Sequence, residues 1–148
     1  MFKHILVPTD GSDFSTDTVR RAVSFAREAG AKITAFYAKP DYSVSDYYGE
    51  GSMILTKSID EDEARAEAYA QQVLGFVDGL CREAGVECDK LSLTSALVYE
   101  GIIEAASQCG CDLIFMASHG RSGLGALLLG SETNKVLTHS KIPVLVYR

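Results

Sequence analysis

Short apolar runs alternate with amphipathic stretches along the chain. Short apolar runs bounded by Gly or Pro predict buried strands, and apolar residues spaced i, i+3, i+4 and i+7 predict one face of a helix. The strand pattern occurs at residues 5–7, ending at Pro8, and at 33–38, 88–95, 113–117 and 143–147. The helical pattern runs from Ser12 or Ser15 to Gly30, from Ser58 to Gly85, over residues 102–106 toward Gly110, and from Ser131 through Leu137.

Strict alternation of strand and helix is typical of right-handed βαβ units. We therefore predict an α/β fold: an open five-stranded parallel sheet of order 3-2-1-4-5 with helices on both faces. Because the chain has 148 residues and a domain commonly has about 100–200, we expect one domain over residues 1–148.

One segment interrupts this rhythm. Residues 39–57 hold two glycines, a proline and the pair Tyr47-Tyr48, and structureless loops longer than about 12–15 residues are uncommon in compact domains. The segment is expected to be either a functional loop or a disordered one. The next helix is predicted to start at the Ser58-Ile59-Asp60-Glu61 capping box.

Composition and charge narrow the possible functions. Apolar types make up 47% and charged types 23% of the chain, as in ordinary globular domains and unlike disordered chains or coiled coils. No apolar run reaches about 18 residues, and the N-terminus lacks the features of a signal peptide, so we expect a cytosolic protein without a membrane partner. The net charge of −6 argues against a nucleic-acid partner, but backbone N–H groups can still bind a nucleotide's phosphates.

The four cysteines carry no metal motif. Cys109-Gly110-Cys111 is C-x-C rather than the C-x2-C of a zinc site. A cytosolic chain keeps its thiols reduced, so we expect free thiols, with this pair buried where a helix meets a strand.

Candidate chemistry gathers where the order of the predicted sheet reverses, between its first and fourth strands. Ligands of open parallel sheets bind there, at the carboxyl ends of the strands. Pro8-Thr9-Asp10-Gly11-Ser12 follows the first strand, and a loop rich in Gly and Ser, from Ser118 to Gly123, follows the fourth. Gly130-Ser131 then opens a helix whose N-terminus attracts phosphate, with Ser131 and Thr133 as hydroxyl donors.

This region contains none of the common catalytic and phosphate-binding motifs. Ser131 stands where a P-loop needs lysine, no G-x-G-x-x-G occurs, and Met116 replaces the first glycine of a G-x-S-x-G elbow around Ser118. His119 adjoins Ser118, but neighbours on a turn rarely face each other, so we predict that the protein is not a hydrolytic enzyme. Slow ATP hydrolysis stays open as an alternative, with His119 as the one candidate general base.

The chain resembles the ATP-binding universal stress proteins over its whole length. Ala117-Ser118-His119-Gly120, nine residues and then Gly130-Ser131 are similar to the family signature G-x-x-G-x9-G-S/T. The opening Ile5-Leu6-Val7-Pro8-Thr9-Asp10-Gly11-Ser12 and the closing Ile142-Pro143-Val144-Leu145-Val146 resemble its first and last strands.

This resemblance implies a cytosolic regulatory protein of the stress response that binds ATP with Mg or Mn. Asp10 would lie near the metal and phosphates, Ala38 would offer its backbone to adenine, and a homodimer would form through Val144, Leu145 and Val146. The implied nucleotide-binding residues are Pro8, Thr9, Asp10, Ala38, Ala117, Ser118, His119, Gly120, Arg121, Gly123, Gly130, Ser131, Glu132 and Thr133.

One position departs from the signature, and two other readings stay open. Ala117 replaces its first glycine, which would cost about 1–2 kcal/mol if that backbone needed a positive φ. The chain could instead be a dimeric family member that binds no nucleotide and acts as an interaction module. A third reading is an enzyme on the same fold, although Thr9-Asp10-Gly11-Ser12-Asp13-Phe14 lacks the loop of an ATP pyrophosphatase.

Overall fold

The sheet and helices follow the predicted alternation. The computed structural model describes residues 1–44, 52–119 and 129–148, with the backbone alone at 44 and 52–58. In chain order the described elements are β1 (His4–Pro8), α1 (Asp13–Ala29), β2 (Lys32–Lys39), a 3-10 turn (Tyr42–Val44), α2 (Ser52–Ala84), β3 (Cys88–Thr94), α3 (Val98–Gln108), β4 (Leu113–Ala117), α4 (Ser131–His139) and β5 (Val144–Tyr147).

The five strands form one sheet in the order β3-β2-β1-β4-β5, and every pair of neighbours is parallel. This confirms the predicted topology. The register pairs Ile5 of β1 with Ile33 of β2 on one side and with Leu113 of β4 on the other. β1 and β4 are therefore central neighbours, whereas β3 and β5 are the edges.

Two apolar clusters cover the two faces of the sheet. Because side chains alternate along a strand, Ile5 and Val7 pack with α1 and α2, whereas Leu6 packs on the opposite face with α3 and α4. On β4, Phe115 and Ile114 divide between the same two faces. Residues 113–116 are buried, as a central strand requires.

The predicted ends of α1 are confirmed. Ser12 is its N-cap, and the Ser12 side chain accepts a hydrogen bond from Ser15 N. At the other end Gly30 has φ 66°, and its N–H reaches the last-turn carbonyls of Ala26 and Arg27. The left-handed conformation there favours glycine, which has no Cβ to clash.

The predicted start of α2 is wrong. The helix begins at Ser52, so the Ser58 capping box lies inside it rather than at its N-terminus. Residues 53–57 contain no proline or glycine, so nothing local prevents the helix from extending upstream. The loop predicted over residues 39–57 is shortened accordingly, and residues 45–51 lie outside the described part of the chain.

All four cysteines are free thiols, as predicted. Cys111 is buried and Cys109 half-buried between α3 and β4, which confirms the helix–strand junction. In the described residues we find no helix with both the length and the hydropathy to cross a membrane.

Candidate nucleotide site

A crevice opens at the carboxyl ends of β1 and β4. The chain leaves β1 toward α1 on one face of the sheet and leaves β4 toward α4 on the other. A cavity of about 460 Å³ lies at this point, within the usual range for ligand sites. The cavity therefore lies where the sequence predicts a binding site.

The loop after β1 is fixed by its own hydrogen bonds. Thr9 N donates to Phe36 O at 2.9 Å, and the Thr9 and Ser15 hydroxyls share a buried hydrogen bond. Asp10 Oδ1 accepts from Ser12 N at 2.9 Å, which forms an Asx-turn. Thr9, Asp10 and Ser15 line the cavity from this side; the resemblance names the first two as nucleotide contacts.

Tyr69 of α2 holds the same loop and was missed by sequence reasoning. Its hydroxyl donates to Asp10 O at 2.8 Å. Gly11 has φ 78°, and a Cβ there would overlap Tyr69 Oη and lie 2.9 Å from Val73 Cγ2. No motif links residues 59 positions apart, so only the fold reveals this contact.

On the opposite side, Gly130 brings the start of α4 close to the end of β4. Gly130 N donates to Ser118 O at 2.7 Å. Its φ of −58° is open to any residue, but a Cβ would lie 3.2 Å from Ser118 O and 3.5 Å from His119 Cα. Glycine is needed here for close approach rather than for backbone conformation.

No side chain of the described residues caps the first turn of α4. Gly130 occupies the N-cap position and has no side chain with which to cap the first turn. The first N–H groups of an α-helix lack partners within the helix, and the helix dipole adds partial positive charge. Gly130 and Ser131 line the cavity, so this helix end faces it.

The next two residues of α4 direct their side chains to other protein groups. Thr133 is buried, and its hydroxyl donates to Ala117 O at 2.9 Å. The Thr133 hydroxyl therefore already donates its hydrogen to the backbone of β4, although it was expected to donate to a ligand. Glu132 Oε2 accepts from Tyr99 N of α3 at 2.9 Å, so the Glu132 carboxylate is also engaged by the protein.

Ser118 and His119 face each other, contrary to the sequence-based expectation. Ser118 Oγ and His119 Nδ1 lie 2.9 Å apart in a hydrogen bond. Ser118 is buried directly after β4, and His119 lines the cavity. His119 Nε2 is buried without a hydrogen-bond partner among the described residues, which leaves one polar atom for a ligand to satisfy.

The third wall of the cavity is apolar. Phe36 and Met116 come from the sheet, and Val98 and Ile102 come from the first turns of α3. The end of β2 adds Tyr37 and Ala38, of which Ala38 was expected. Sequence reasoning missed the α3 side chains because their spacing identifies only a helix face, not the cavity that this face borders.

Ala117 does not strain the backbone. It is the last residue of β4 and pairs with Tyr147, and no described residue other than glycine has a positive φ. The departure from the signature glycine therefore carries no left-handed penalty. Gly120, Arg121 and Gly123, also expected in the site, lie outside the described residues.

The charge on the described cavity wall comes from carboxylates. Asp10 and Glu132 line it, and no Lys or Arg is among the described lining residues. No cluster of three or more His, Cys, Asp or Glu able to hold a metal occurs in ranges 1–44, 52–119 and 129–148. Within the described ranges, an anion in the cavity would therefore be bound by N–H and hydroxyl groups. A metal ion would need further oxygen ligands from the molecule that it accompanies into the cavity.

A cavity with an apolar wall and a helix N-terminus, at the switch point of a parallel sheet, defines a doubly wound α/β domain with a site suited to nucleotides. Comparison with known proteins identifies the family. The model of the universal stress protein family matches residues 1–148, and the chain belongs to that family.

Individual relatives agree with this assignment. Universal stress protein MJ0531 of Methanocaldococcus jannaschii is 33% identical over 151 aligned positions, covering 100% of this chain and 83% of that protein. The solved structure of MJ0577 from the same organism superposes with a TM-score of 0.82 at 23% identity, covering 99% and 95% of the two chains. A universal stress protein solved in complex with cAMP has a TM-score of 0.71 at 25% identity, covering 99% and 97%.

Proposed function

We propose that this chain binds ATP, together with Mg²⁺ or Mn²⁺, in the cavity between β1 and β4 and acts as a nucleotide-dependent regulatory protein of the stress response. The observation that carries the proposal is the pairing of an apolar wall with the open N-terminus of α4 across one cavity. We assign it binding rather than catalysis.

The apolar wall suits the base. Val98, Ile102 and Met116 offer hydrocarbon surface to a flat ring, whose burial contributes about 25 cal/mol per Å² of apolar area. The end of β2 at Tyr37 and Ala38 borders the same space. Backbone groups at a strand end can recognise the edge of a base without a charged side chain.

The α4 side suits the phosphates. Its first N–H groups and the helix dipole favour an anion, and the exposed Ser131 adds a hydroxyl at the helix start. His119 Nε2, buried without a described partner, can donate to a ligand oxygen in the tautomer that places the ring hydrogen on Nε2. These groups fit a polyphosphate without lysine or arginine from the described wall.

The metal would be bound through the nucleotide. Mg²⁺ in proteins is commonly bound by one or two carboxylates plus phosphate oxygens and water, rather than by an all-protein cage. Asp10 provides a carboxylate beside the cavity. When bound, the metal would neutralise phosphate charge near this acidic wall.

The known relatives support an adenine nucleotide as the ligand class. The superposition with the relative solved in complex with cAMP covers 97% of that relative's chain. cAMP shares the adenine ring and the ribose with ATP, and these are the parts that would meet the apolar wall and β2.

We also propose a homodimer through β5. In the order β3-β2-β1-β4-β5 this strand has a neighbour on one side only. Pro143 O accepts a hydrogen bond from Ile114 N of β4, and Tyr147 O accepts one from Ser118 N, directly after β4. Because backbone groups alternate sides along a strand, Val144 and Val146 point theirs at the open edge, where a two-fold-related copy could pair.

Thermal unfolding with and without ATP and Mg²⁺ tests the proposal. Ligand at 100 times its dissociation constant stabilises by about 2.7 kcal/mol, which for this chain length raises Tm by about 5–10 °C. Adenosine should produce a smaller shift, and inorganic phosphate the least. No shift at millimolar ATP would contradict ATP binding and favour a family member that acts only as an interaction module.

A further inference from the structure

The start of α3 is capped by a residue from another helix. Leu97 occupies the N-cap position and makes no side-chain hydrogen bond to the first turn. Ser, Thr, Asp or Asn usually serves there. Instead, Glu132 Oε2 of α4 accepts from Tyr99 N, at the second position of α3, with a distance of 2.9 Å.

Other side chains reinforce this connection between α3 and α4. Lys135 Nζ lies 3.6 Å from Glu132 Oε1 and 5.6 Å from the centroid of the Tyr99 ring. The Tyr99 ring also packs against His139, with ring centroids 5.2 Å apart. The Tyr99 segment of α3 is thus held to α4 by backbone, charge and ring contacts together.

The cap joins two helices that both line the cavity, and Glu132 is itself a lining residue. One residue before Tyr99, Val98 lines the apolar wall, and two residues before Glu132, Gly130 lines the α4 side. A carboxylate at the first turn of α4 would repel a phosphate at that helix end. Its hydrogen bond to Tyr99 N instead directs it toward the positive end of α3, where an anion is stabilising.

We propose that Glu132 is a positioning residue: it caps α3 and so sets the distance between the apolar wall and the start of α4, and it does not contact the phosphates or their metal. The ligand part of this inference rests on the proposed ATP site, whereas the cap itself does not. The resemblance alone placed Glu132 among the ligand contacts.

Three variants separate a cap from a ligand contact. Glu132→Ala removes the acceptor, whereas Glu132→Gln keeps an oxygen for Tyr99 N and removes only the charge. Glu104→Ala is the matched control, because Glu104 is an exposed acid of α3 whose carboxylate accepts from Gln108 Nε2 and which is not among the described residues lining the cavity. Circular dichroism verifies that each variant is folded.

The first readout is hydrogen exchange at the Tyr99 amide without ligand. Loss of a helix N-cap typically changes an equilibrium constant about fivefold. We expect about fivefold faster exchange in Glu132→Ala and little change in Glu132→Gln and Glu104→Ala. Unchanged exchange in a folded Glu132→Ala variant would overturn the cap, and so would equally fast exchange in Glu132→Gln.

The second readout is the affinity for adenosine and for ATP, with and without Mg²⁺. Adenosine has no phosphate, so it reports on the contacts of the base and ribose without those at the start of α4. We expect Glu132→Ala to weaken both ligands about fivefold, regardless of Mg²⁺, and Glu132→Gln to stay within about threefold of the unmodified protein. A loss confined to ATP with Mg²⁺, in either variant, would show a metal contact and overturn the positioning role.

The two readouts also separate this inference from the proposed function. If the unmodified protein binds neither adenosine nor ATP, the proposed function fails, and the positioning of a bound base fails with it. Tyr99 exchange still decides whether Glu132 caps α3. If ATP binds but the Tyr99 amide is indifferent to Glu132→Ala, the function stands and the inference is wrong.

Discussion

Replacing Gly130 with alanine tests why glycine occupies the start of α4. The new Cβ would lie 3.2 Å from Ser118 O, 3.5 Å from His119 Cα and 3.9 Å from Thr133 Oγ1. Because φ at Gly130 is −58°, the substitution adds no left-handed strain. Crowding between α4 and the end of β4 is then the main destabilising effect, and it opposes the stabilisation that alanine gains over glycine through the unfolded state.

The crowding has a definite size. The first contact is closer than ordinary van der Waals separation, so Ser118 must move by a few tenths of an ångström, and it also accepts the 2.7 Å hydrogen bond from Gly130 N. Overpacking of this kind typically costs about 1–3 kcal/mol. We expect about 1 kcal/mol for alanine, or a Tm lower by about 2–4 °C, and more for Gly130→Val.

A second glycine provides the matched control. Gly79 lies in the interior of α2, and a Cβ there would meet nothing within 4 Å. Gly79→Ala should therefore raise stability by about 0.5–1 kcal/mol, as a helix interior predicts. Both variants are measured by thermal unfolding followed by circular dichroism, and by calorimetric titration with ATP and Mg²⁺.

ATP affinity should fall in Gly130→Ala but not in Gly79→Ala, because only the first displaces the N–H groups that face the cavity. A Tm for Gly130→Ala equal to or above that of the unmodified protein would refute the close-approach argument. Unchanged ATP affinity in a folded Gly130→Val variant would remove this loop from the site.

Three further predictions concern other parts of the chain. Burial, together with the charge of Lys32, lowers the pKa of His4 below its ordinary 6.5. Because the unfolded state then binds a proton more readily than the folded state, the free energy of unfolding measured in urea should fall below about pH 6.5. This fall should be smaller in His4→Gln. Gly11→Ala combines a positive φ with overlap against α2 and should lower the unfolding free energy by about 2–4 kcal/mol; a loss under 1 kcal/mol by the same assay would contradict it. Val146→Pro should yield a folded monomer by sedimentation, because it removes an edge N–H, whereas Leu145→Pro should destabilise the β4–β5 pairing itself; a monomeric unmodified protein at micromolar concentration would contradict the dimer.

Local signals predicted most of the fold. The run at 113–117 could be predicted as a buried central strand because all of its residues are apolar and suit a strand that is covered on both faces. Ser12 and Gly30 mark the ends of α1 through hydrogen bonds within a few residues of each. The order of the sheet could be predicted because the βα alternation leaves few right-handed arrangements.

Contacts between distant segments could not be predicted in the same way. Tyr69 reaches Asp10 across 59 positions, and Glu132 reaches Tyr99 across 33. The residue type at one position does not determine which distant segment of the chain will pack beside it. The Ser58 capping box failed for a related reason: its side chains can cap a helix, but they cannot stop one that already extends upstream.

The central claim is that ATP binds in the cavity between β1 and β4, and mapping amide chemical shifts during an ATP–Mg²⁺ titration tests it most directly. We predict saturable shifts at Thr9, Ala38 and Ser131, which lie on three sides of the cavity, and none at Ser107 or Gln108 in the separate groove along α3. Absence of shifts at millimolar ATP, or shifts confined to residues away from the cavity, would contradict the account.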